Sequence, residues 1–229
     1  MAAASTSTRA AHDAVRVIFL GPPGAGKGTQ AGRLATHLGV PKISTGEMLR
    51  TAIAKDTPLG REANPLMELG RLVPDELLVK LIGERTAEAD CRVGFVLDGF
   101  PRTLPQATGL ERMPGGDPRG FIVFDFQVPR AELLLRLSGR RWCPSCQATF
   151  HMVYEPPKRP MLCDVCGADL VQREDDLEDV VEERLREYDA RTFPLIEYYR
   201  SRARMRAIDG NRPQDTVFQD LLSAVEVRA

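Results

Sequence analysis

The stretch Val15-Arg16-Val17-Ile18-Phe19-Leu20, followed at once by Gly21-Pro22-Pro23-Gly24-Ala25-Gly26-Lys27-Gly28-Thr29-Gln30, restricts the fold of this chain more than any other feature. An apolar run, a glycine-rich turn and a helical pattern from Thr29 to Leu38 read as strand, tight loop and helix. Glycines at 21, 24, 26 and 28 let the backbone turn sharply and aim successive N–H groups inward, and a helix opening near Gly26 adds the positive end of its dipole. Lys27 supplies a mobile point charge and Thr29 a hydroxyl, so the segment is a cradle for phosphate. The pattern G-x-x-x-x-G-K-[ST] is met from Gly21 through Lys27, but Gly28 stands at its Ser/Thr position and Thr29 comes one residue later.

The rest of the chain keeps the same rhythm. Short, two-sided apolar runs at Val15 to Leu20, Lys42 and Ile43, Gly94 to Leu97, Phe121 to Phe126 and Met205 to Ile208 read as buried parallel strands. Between and after them, helical patterns lie near 27–38, 46–54, 59–69, 75–89, 103–111 and 130–138, then a long one near 177–201 and a last one near 214–226. Ser44 with Glu47 forms a possible capping box, and Pro74-Asp75-Glu76 a helix start. With 229 residues, 43% of them apolar, one α/β unit with inserted subdomains is expected. Residues 1–14 lack the apolar core of a secretory signal and read as a disordered tail. No window is long and apolar enough to span a membrane, so a soluble protein is expected.

One region breaks the α/β pattern. Arg140 to Asp176 is rich in Cys, Pro and polar residues and contains Cys143-Pro144-Ser145-Cys146, then Cys163-Asp164-Val165-Cys166 after sixteen residues. Two C-x-x-C knuckles at this separation bring four thiolates to the corners of a tetrahedron, which suits Zn²⁺ and holds together an insertion with little core of its own. Iron suits the same sulfur set. Disulfides are disfavoured in a chain without an export signal. Four protein ligands leave no open position, so the metal is expected to be structural. The fifth cysteine, Cys91, reads as a small buried apolar side chain.

A second polar cluster follows a strand: Gly94-Phe95-Val96-Leu97-Asp98-Gly99-Phe100-Pro101-Arg102. Asp98 ends the apolar run, where a carboxylate can orient Mg²⁺ or its waters, and Arg102 aims a planar fork at phosphate. In the long helical pattern Val180, Val181, Leu185, Tyr188, Leu195 and Tyr199 mark an apolar stripe, with Arg184 one turn from both Val180 and Tyr188. An arginine bordering a buried face needs an anionic partner. Arg200, Arg202, Arg204 and Arg206 read as a solvated helix end, and His12, His37 and His151 as structural or surface residues.

The glycine loop, Ile43-Ser44-Thr45-Gly46-Glu47-Met48-Leu49-Arg50, Asp98-Gly99-Phe100-Pro101-Arg102-Thr103 and Arg173-Glu174-Asp175-Asp176 together resemble the adenylate kinases, in the long-lid form whose lid carries four zinc-binding cysteines. The resemblance runs from about Val15 to the last helix. It implies a P-loop nucleoside-monophosphate-kinase fold, a five-stranded parallel sheet flanked by helices, with a nucleoside-monophosphate-binding insert at 44–73 and a zinc-ribbon-like lid at 139–176. It also implies Mg-dependent, reversible phosphoryl transfer from ATP to AMP giving two ADP, by an in-line route with no covalent intermediate, in a cytoplasmic monomer.

Carried over by motif, Gly24, Ala25, Gly26, Lys27, Gly28 and Thr29 hold ATP phosphates, and Arg136, Arg140, Thr149, Phe150 and Arg212 complete the ATP site. Thr45, Arg50, Arg71, Leu72, Val73, Gly99, Phe100, Pro101, Arg102 and Gln106 hold AMP. Arg173 and Arg184 meet the transferring phosphates. Lys27, Arg102, Arg140, Arg173, Arg184 and Asp98 form the catalytic set, and Cys143, Cys146, Cys163 and Cys166 the metal set. Other readings keep the fold and change a base (a UMP/CMP kinase, or a GTP-dependent AMP kinase) or change the class to a nucleotide-binding module whose zinc element grips nucleic acid or protein. A net charge of −1, and a single tryptophan, Trp142, with no aromatic-basic run around it, oppose the last.

Overall fold

The apolar run VRVIFL forms the central strand β1 (Val15–Leu20) of a five-stranded parallel sheet. Its neighbours are β3 (Gly94–Asp98) on one side and β4 (Phe121–Gln127) on the other, with β2 (Lys42–Ser44) and β7 (Arg204–Asp209) at the edges. The register sets Val17 opposite both Val96 and Ile122. Side chains alternate across the pleat, so Val17 and Phe19 enter one apolar cluster while Ile18 and Leu20 enter the other. Both faces are covered, which is why the strands carry unbroken apolar runs. The computed structural model describes residues 14–226; the tail expected over 1–14 lies, apart from Ala14, outside the described residues.

One layer of helices comprises α1 (Lys27–Leu38), α6 (Arg130–Ser138), α7 (Glu178–Glu187) and α9 (Gln214–Glu226), through Leu34, Leu137, Leu185 and Leu221. The other comprises α2 (Thr45–Ala54), α3 (Pro58–Glu68), α4 (Asp75–Thr86), α5 (Leu104–Glu111) and α8 (Pro194–Arg200), through Leu49, Ala63, Ile82, Leu110 and Leu195. After β1 the chain builds outward on one side with β2 and β3, then on the other with β4 and β7. That switch opens a crevice at the carboxyl ends of the strands, where α/β sheets take their ligands.

Two expectations need correction. The helix foreseen over 177–201 is α7 and α8 separated by a π turn at Tyr188–Thr192, with Phe193 N–H reaching back to the Tyr188 carbonyl at 2.9 Å. Pro194 has no N–H to continue an α-helical ladder, and the wider turn absorbs the missing bond. The interruption also carries the apolar stripe from one layer to the other, since Val181 and Leu185 pack in the first cluster and Leu195 and Tyr199 in the second. The capping box of Ser44 and Glu47 does not form. Ser44 makes no cap bond and turns its hydroxyl to Asp98 (3.3 Å), while Glu47 pairs with Lys42 at 2.5 Å.

The insertion at Arg140–Asp176 contains two three-residue strands absent from the sequence reading, β5 (Arg140–Trp142) and β6 (Thr149–His151), paired antiparallel. Strands this short have no period to detect. Around them the apolar cluster consists of buried Cys143, Cys163 and Leu170, flanked by Ala148, Phe150 and Ala168.

Helices α2 and α3 meet at a backbone contact without room for a side chain. Thr57 caps α3 by accepting from Gly60 N–H at 3.1 Å, and a Cβ on Gly60 would lie 2.2 Å from the Ala52 carbonyl oxygen. Gly60→Ala must push the two helices apart and is expected to cost about 1–3 kcal/mol, read as a fall in melting temperature; an unchanged melting curve would contradict this packing.

Candidate active site

The loop between β1 and α1 is drawn against the sheet by its glycines. Gly21, at φ +138°, lies where a Cβ would come within 2.7 Å of the Phe126 carbonyl oxygen, and Gly26, at φ +87°, is the N-cap of α1. Lys27 begins the helix and donates to the Gly21 and Pro22 carbonyls, each at 2.7 Å. Burial drives its ammonium down to about 7 against the pull of Asp98, with Arg102, Arg184 and Arg140 pushing the same way as burial. Asp98 stands at the end of β3 facing the loop, and a Cβ on Gly28 would meet its Oδ2 at 3.3 Å. The small residue at the Ser/Thr position of the motif therefore leaves space for the carboxylate.

Arg102 is braced from several sides. Its Nε donates to the Gly99 carbonyl (2.9 Å), its backbone N–H to Gln106 Oε1 (2.7 Å), and its carbonyl accepts from the Thr192 hydroxyl (2.9 Å). Gln106 in turn donates to Asp75 at 2.7 Å, as Thr103 does at 2.9 Å. Across the cleft, the fully buried Asp176 holds two arginines. Arg140 forks onto it, with Nε to Oδ2 at 2.7 Å, and Arg184 Nη1 reaches Oδ1 at 2.8 Å and the Asp175 carbonyl at 2.6 Å. Burial disfavours a charged Asp175, yet Arg184, Arg140, Arg50 and Arg173 hold its carboxyl below the usual range. Burial lowers Arg50, Arg102 and Arg173 alike, Arg173 to about 9, and their positive neighbours add to the effect. A cleft that strains its cations in this way favours a polyanion.

These groups line one cleft of about 1460 Å³ at the carboxyl edge of the sheet. It brings together Gly24–Thr29, Thr45, Arg50, Arg71–Val73, Asp98, Gly99, Pro101, Arg102, Arg136, Arg140, Thr149, Phe150, Arg173, Arg184 and Arg212. Thr45 donates its hydroxyl to the Gly99 carbonyl at 2.8 Å, Arg136 is held by Glu132 and the Gly210 carbonyl, and Arg212 pairs with Asp220. Two expected contacts stand behind the wall. The Phe100 ring is fully buried in the apolar core, and Gln106 is fully buried with its amide engaged by Arg102 and Asp75, so its visible task is to hold Arg102. His151, read as structural or surface, lines the cleft stacked on Tyr154, with its Nδ1 accepting from the N–H groups of Val153 and Tyr154.

Sequence reasoning gave Asp75, Asp175 and Asp176 no site role: Asp75 was read as part of a helix start, and Asp175 and Asp176 only as part of a family motif. The available signal was the run of three carboxylates after Arg173 in Arg173-Glu174-Asp175-Asp176, since buried arginines elsewhere in the chain need carboxylates to face.

In the lid, the Sγ atoms of Cys143, Cys146, Cys163 and Cys166 all lie within 4.8 Å of one another, with Cys143 to Cys166 and Cys146 to Cys163 each at 3.5 Å. A disulfide needs about 2.05 Å, whereas Zn–S bonds of about 2.3 Å set tetrahedral sulfur edges of about 3.8 Å. The four free thiols are a set that could hold a metal ion. Cys91 is buried, as expected, and receives a bond from Arg85.

Removing the carboxylate of Asp176 leaves two largely buried guanidinium groups without their counter-charge. Asp176→Ala is expected to lower unfolding free energy by about 3–5 kcal/mol, measured by urea denaturation; a change below about 1 kcal/mol would mean that the pairings are ordinary surface ion pairs.

Comparison with known proteins accords with this geometry. The family model for adenylate kinase matches residues 19–204. A protein named adenylate kinase from Moorella thermoacetica is 51% identical over 199 residues, covering 86% of this chain and 92% of the relative. One of the same name from Archaeoglobus fulgidus is 46% identical over 213 residues, covering 93% and 98%, and one from Syntrophobacter fumaroxidans is 49% identical over 205 residues, covering 89% and 96%. With the cradle, the arginine cluster and the four-cysteine lid in their expected places along the matched length, the chain belongs to the adenylate kinase family.

Proposed function

We propose that this protein is an ATP:AMP phosphotransferase, moving the terminal phosphoryl group of ATP reversibly to AMP to give two ADP. The observation that carries the reading is one cleft lined by the phosphate cradle with Lys27, by Thr45 and Arg50, and by Arg102, Arg140, Arg173 and Arg184. Its volume of about 1460 Å³ exceeds that of ordinary single-ligand pockets, roughly 300–1,000 Å³. Two nucleotides meeting phosphate to phosphate would use it fully.

The acceptor phosphate is already largely ionised at neutral pH, so no general base is required. The work left to the protein is electrostatic. Arg140 and Arg184, fixed by Asp176, and Arg102, fixed by Gln106 and Gly99, present donors that need no reorganisation as charge moves to the bridging and equatorial oxygens. A polyphosphate beside Lys27 favours its charged form, offsetting the burial that disfavours it. The inserts at 44–73 and 139–176 close over the nucleotides, which excludes water as a competing acceptor. Mg²⁺ arriving with ATP would be held through Asp98 and Thr29, where it neutralises phosphate charge. Cys143, Cys146, Cys163 and Cys166 would hold a Zn²⁺ ion that cross-links the lid. Membership in the family supports reading the chain as a cytoplasmic monomer.

The deciding experiment is a coupled assay with MgATP and each nucleoside monophosphate in turn. AMP should turn over fastest, and Lys27→Met should cut kcat by about 10²-fold or more; faster turnover with UMP, CMP or GMP would refute the assignment.

The lid makes a separate prediction. Protein prepared without chelator should carry about one Zn²⁺ per chain by elemental analysis, and Cys163→Ser should lower the melting temperature by about 5–15 °C. Metal-free wild type, or a variant that melts like wild type, would remove zinc from the account.

A further inference from the structure

Where the lid meets the α2–α3 insert, a second cavity of about 470 Å³ is lined by Arg50, Ile53, Met67, Trp142, Pro144 and Arg173 among others. The two inserts touch here directly, Gln147 Nε2 donating to Thr51 Oγ1 at 3.1 Å. The only tryptophan of the chain is at this seam. Its ring faces the guanidinium of Arg173, from its own lid, at 5.4 Å, and that of Arg50, from the opposite insert, at 6.0 Å. Four of the buried side-chain atoms without a partner also lie here: Arg50 Nε, Arg173 Nε, Trp142 Nε1 and Gln147 Oε1.

A guanidinium whose Nε is buried without a partner, as that of Arg50 is, has few interactions to fix its orientation. An indole face is one of them, because the ring's negative quadrupole attracts the cation without consuming its N–H groups. Arg50 can thus be held by Trp142 on its flat face and keep its donors for a phosphate at its edge. This support comes from the lid and is present only when the lid is docked on the insert.

From this geometry we propose that Trp142 is a positioning residue that links the two nucleotide sites: a lid drawn down on ATP brings the indole against Arg50 and orients it for the phosphate of AMP. By reciprocity, AMP engaging Arg50 stabilises the docked lid and tightens ATP binding by the same factor. The inference rests on the ATP:AMP reading above. It predicts that the two substrates bind cooperatively through the face of one aromatic ring, not through its volume or its N–H.

The test is calorimetric titration of AMP into the zinc-loaded protein, alone and saturated with the unreactive β,γ-imido analogue of ATP, for wild type, Trp142→Phe and Trp142→Leu. Wild type should bind AMP about three- to thirty-fold more tightly when the analogue is present. Trp142→Leu, which keeps an apolar side chain at the seam, should lose that factor while its affinity for AMP alone stays within about two-fold of wild type. Trp142→Phe should retain most of it. A merely structural role would weaken AMP binding equally with and without the analogue. Retention of full cooperativity in Trp142→Leu, or its loss in Trp142→Phe, overturns the proposal and leaves the ATP:AMP reading intact. Wild type that binds no AMP in either condition fails that reading first.

Discussion

Cations gathered at the edge of a parallel sheet repel one another and resist dehydration, and the arrangement around this cleft follows from controlling both costs. Lys27, Arg50, Arg102, Arg140, Arg173 and Arg184 converge on one space, and burial already weakens the charged state of Lys27, Arg50, Arg102 and Arg173. Asp176, wholly inside the protein, takes two of the guanidinium groups at once, and Asp98 and Asp175 compensate the others from a greater distance. The carboxylates leave a positive excess, which only a polyanion can balance. The same arrangement therefore fixes the arginines before a nucleotide arrives and makes nucleotide binding favourable.

That requirement explains how the polypeptide divides its tasks. The sheet and its two helical layers form a rigid base through Phe19, Phe124, Ile18 and Leu97, buried on both faces. The lid cannot be built that way. Its buried apolar cluster amounts to Leu170 with Cys143 and Cys163, flanked by Ala148, Phe150 and Ala168, and the four clustered thiols could hold a metal ion that would supply the cross-linking a core otherwise gives. In the proposed reaction, which needs wet entry and dry chemistry, such a small part carrying Arg140 and Arg173 would serve as the closing element.

Much of the site was legible before any coordinates. The glycine loop announced itself because a phosphate cradle requires a lysine and backbone flexibility at set positions, and the four cysteines because metal geometry fixes ligand spacing. The strands Val15–Leu20 and Phe121–Gln127 were visible as apolar runs within one residue of their ends. The π turn at Tyr188–Thr192 was not, because a break in hydrogen-bond period leaves the amphipathic stripe nearly unchanged. Nor was the burial of Gln106, whose residue type suits a ligand contact as well as it suits a brace.

By itself, the sequence determined the parallel α/β framework, the glycine loop between β1 and α1, and the pair of C-x-x-C segments, since each depends on residue type at short spacing along the chain. Only the tertiary structure decided which carboxylate serves which arginine, why Gly28 replaces a hydroxyl residue beside Asp98, and how Trp142 comes to face Arg50. Those are contacts between segments distant in sequence, and their energies depend on burial and angle, quantities that no local pattern of residues specifies.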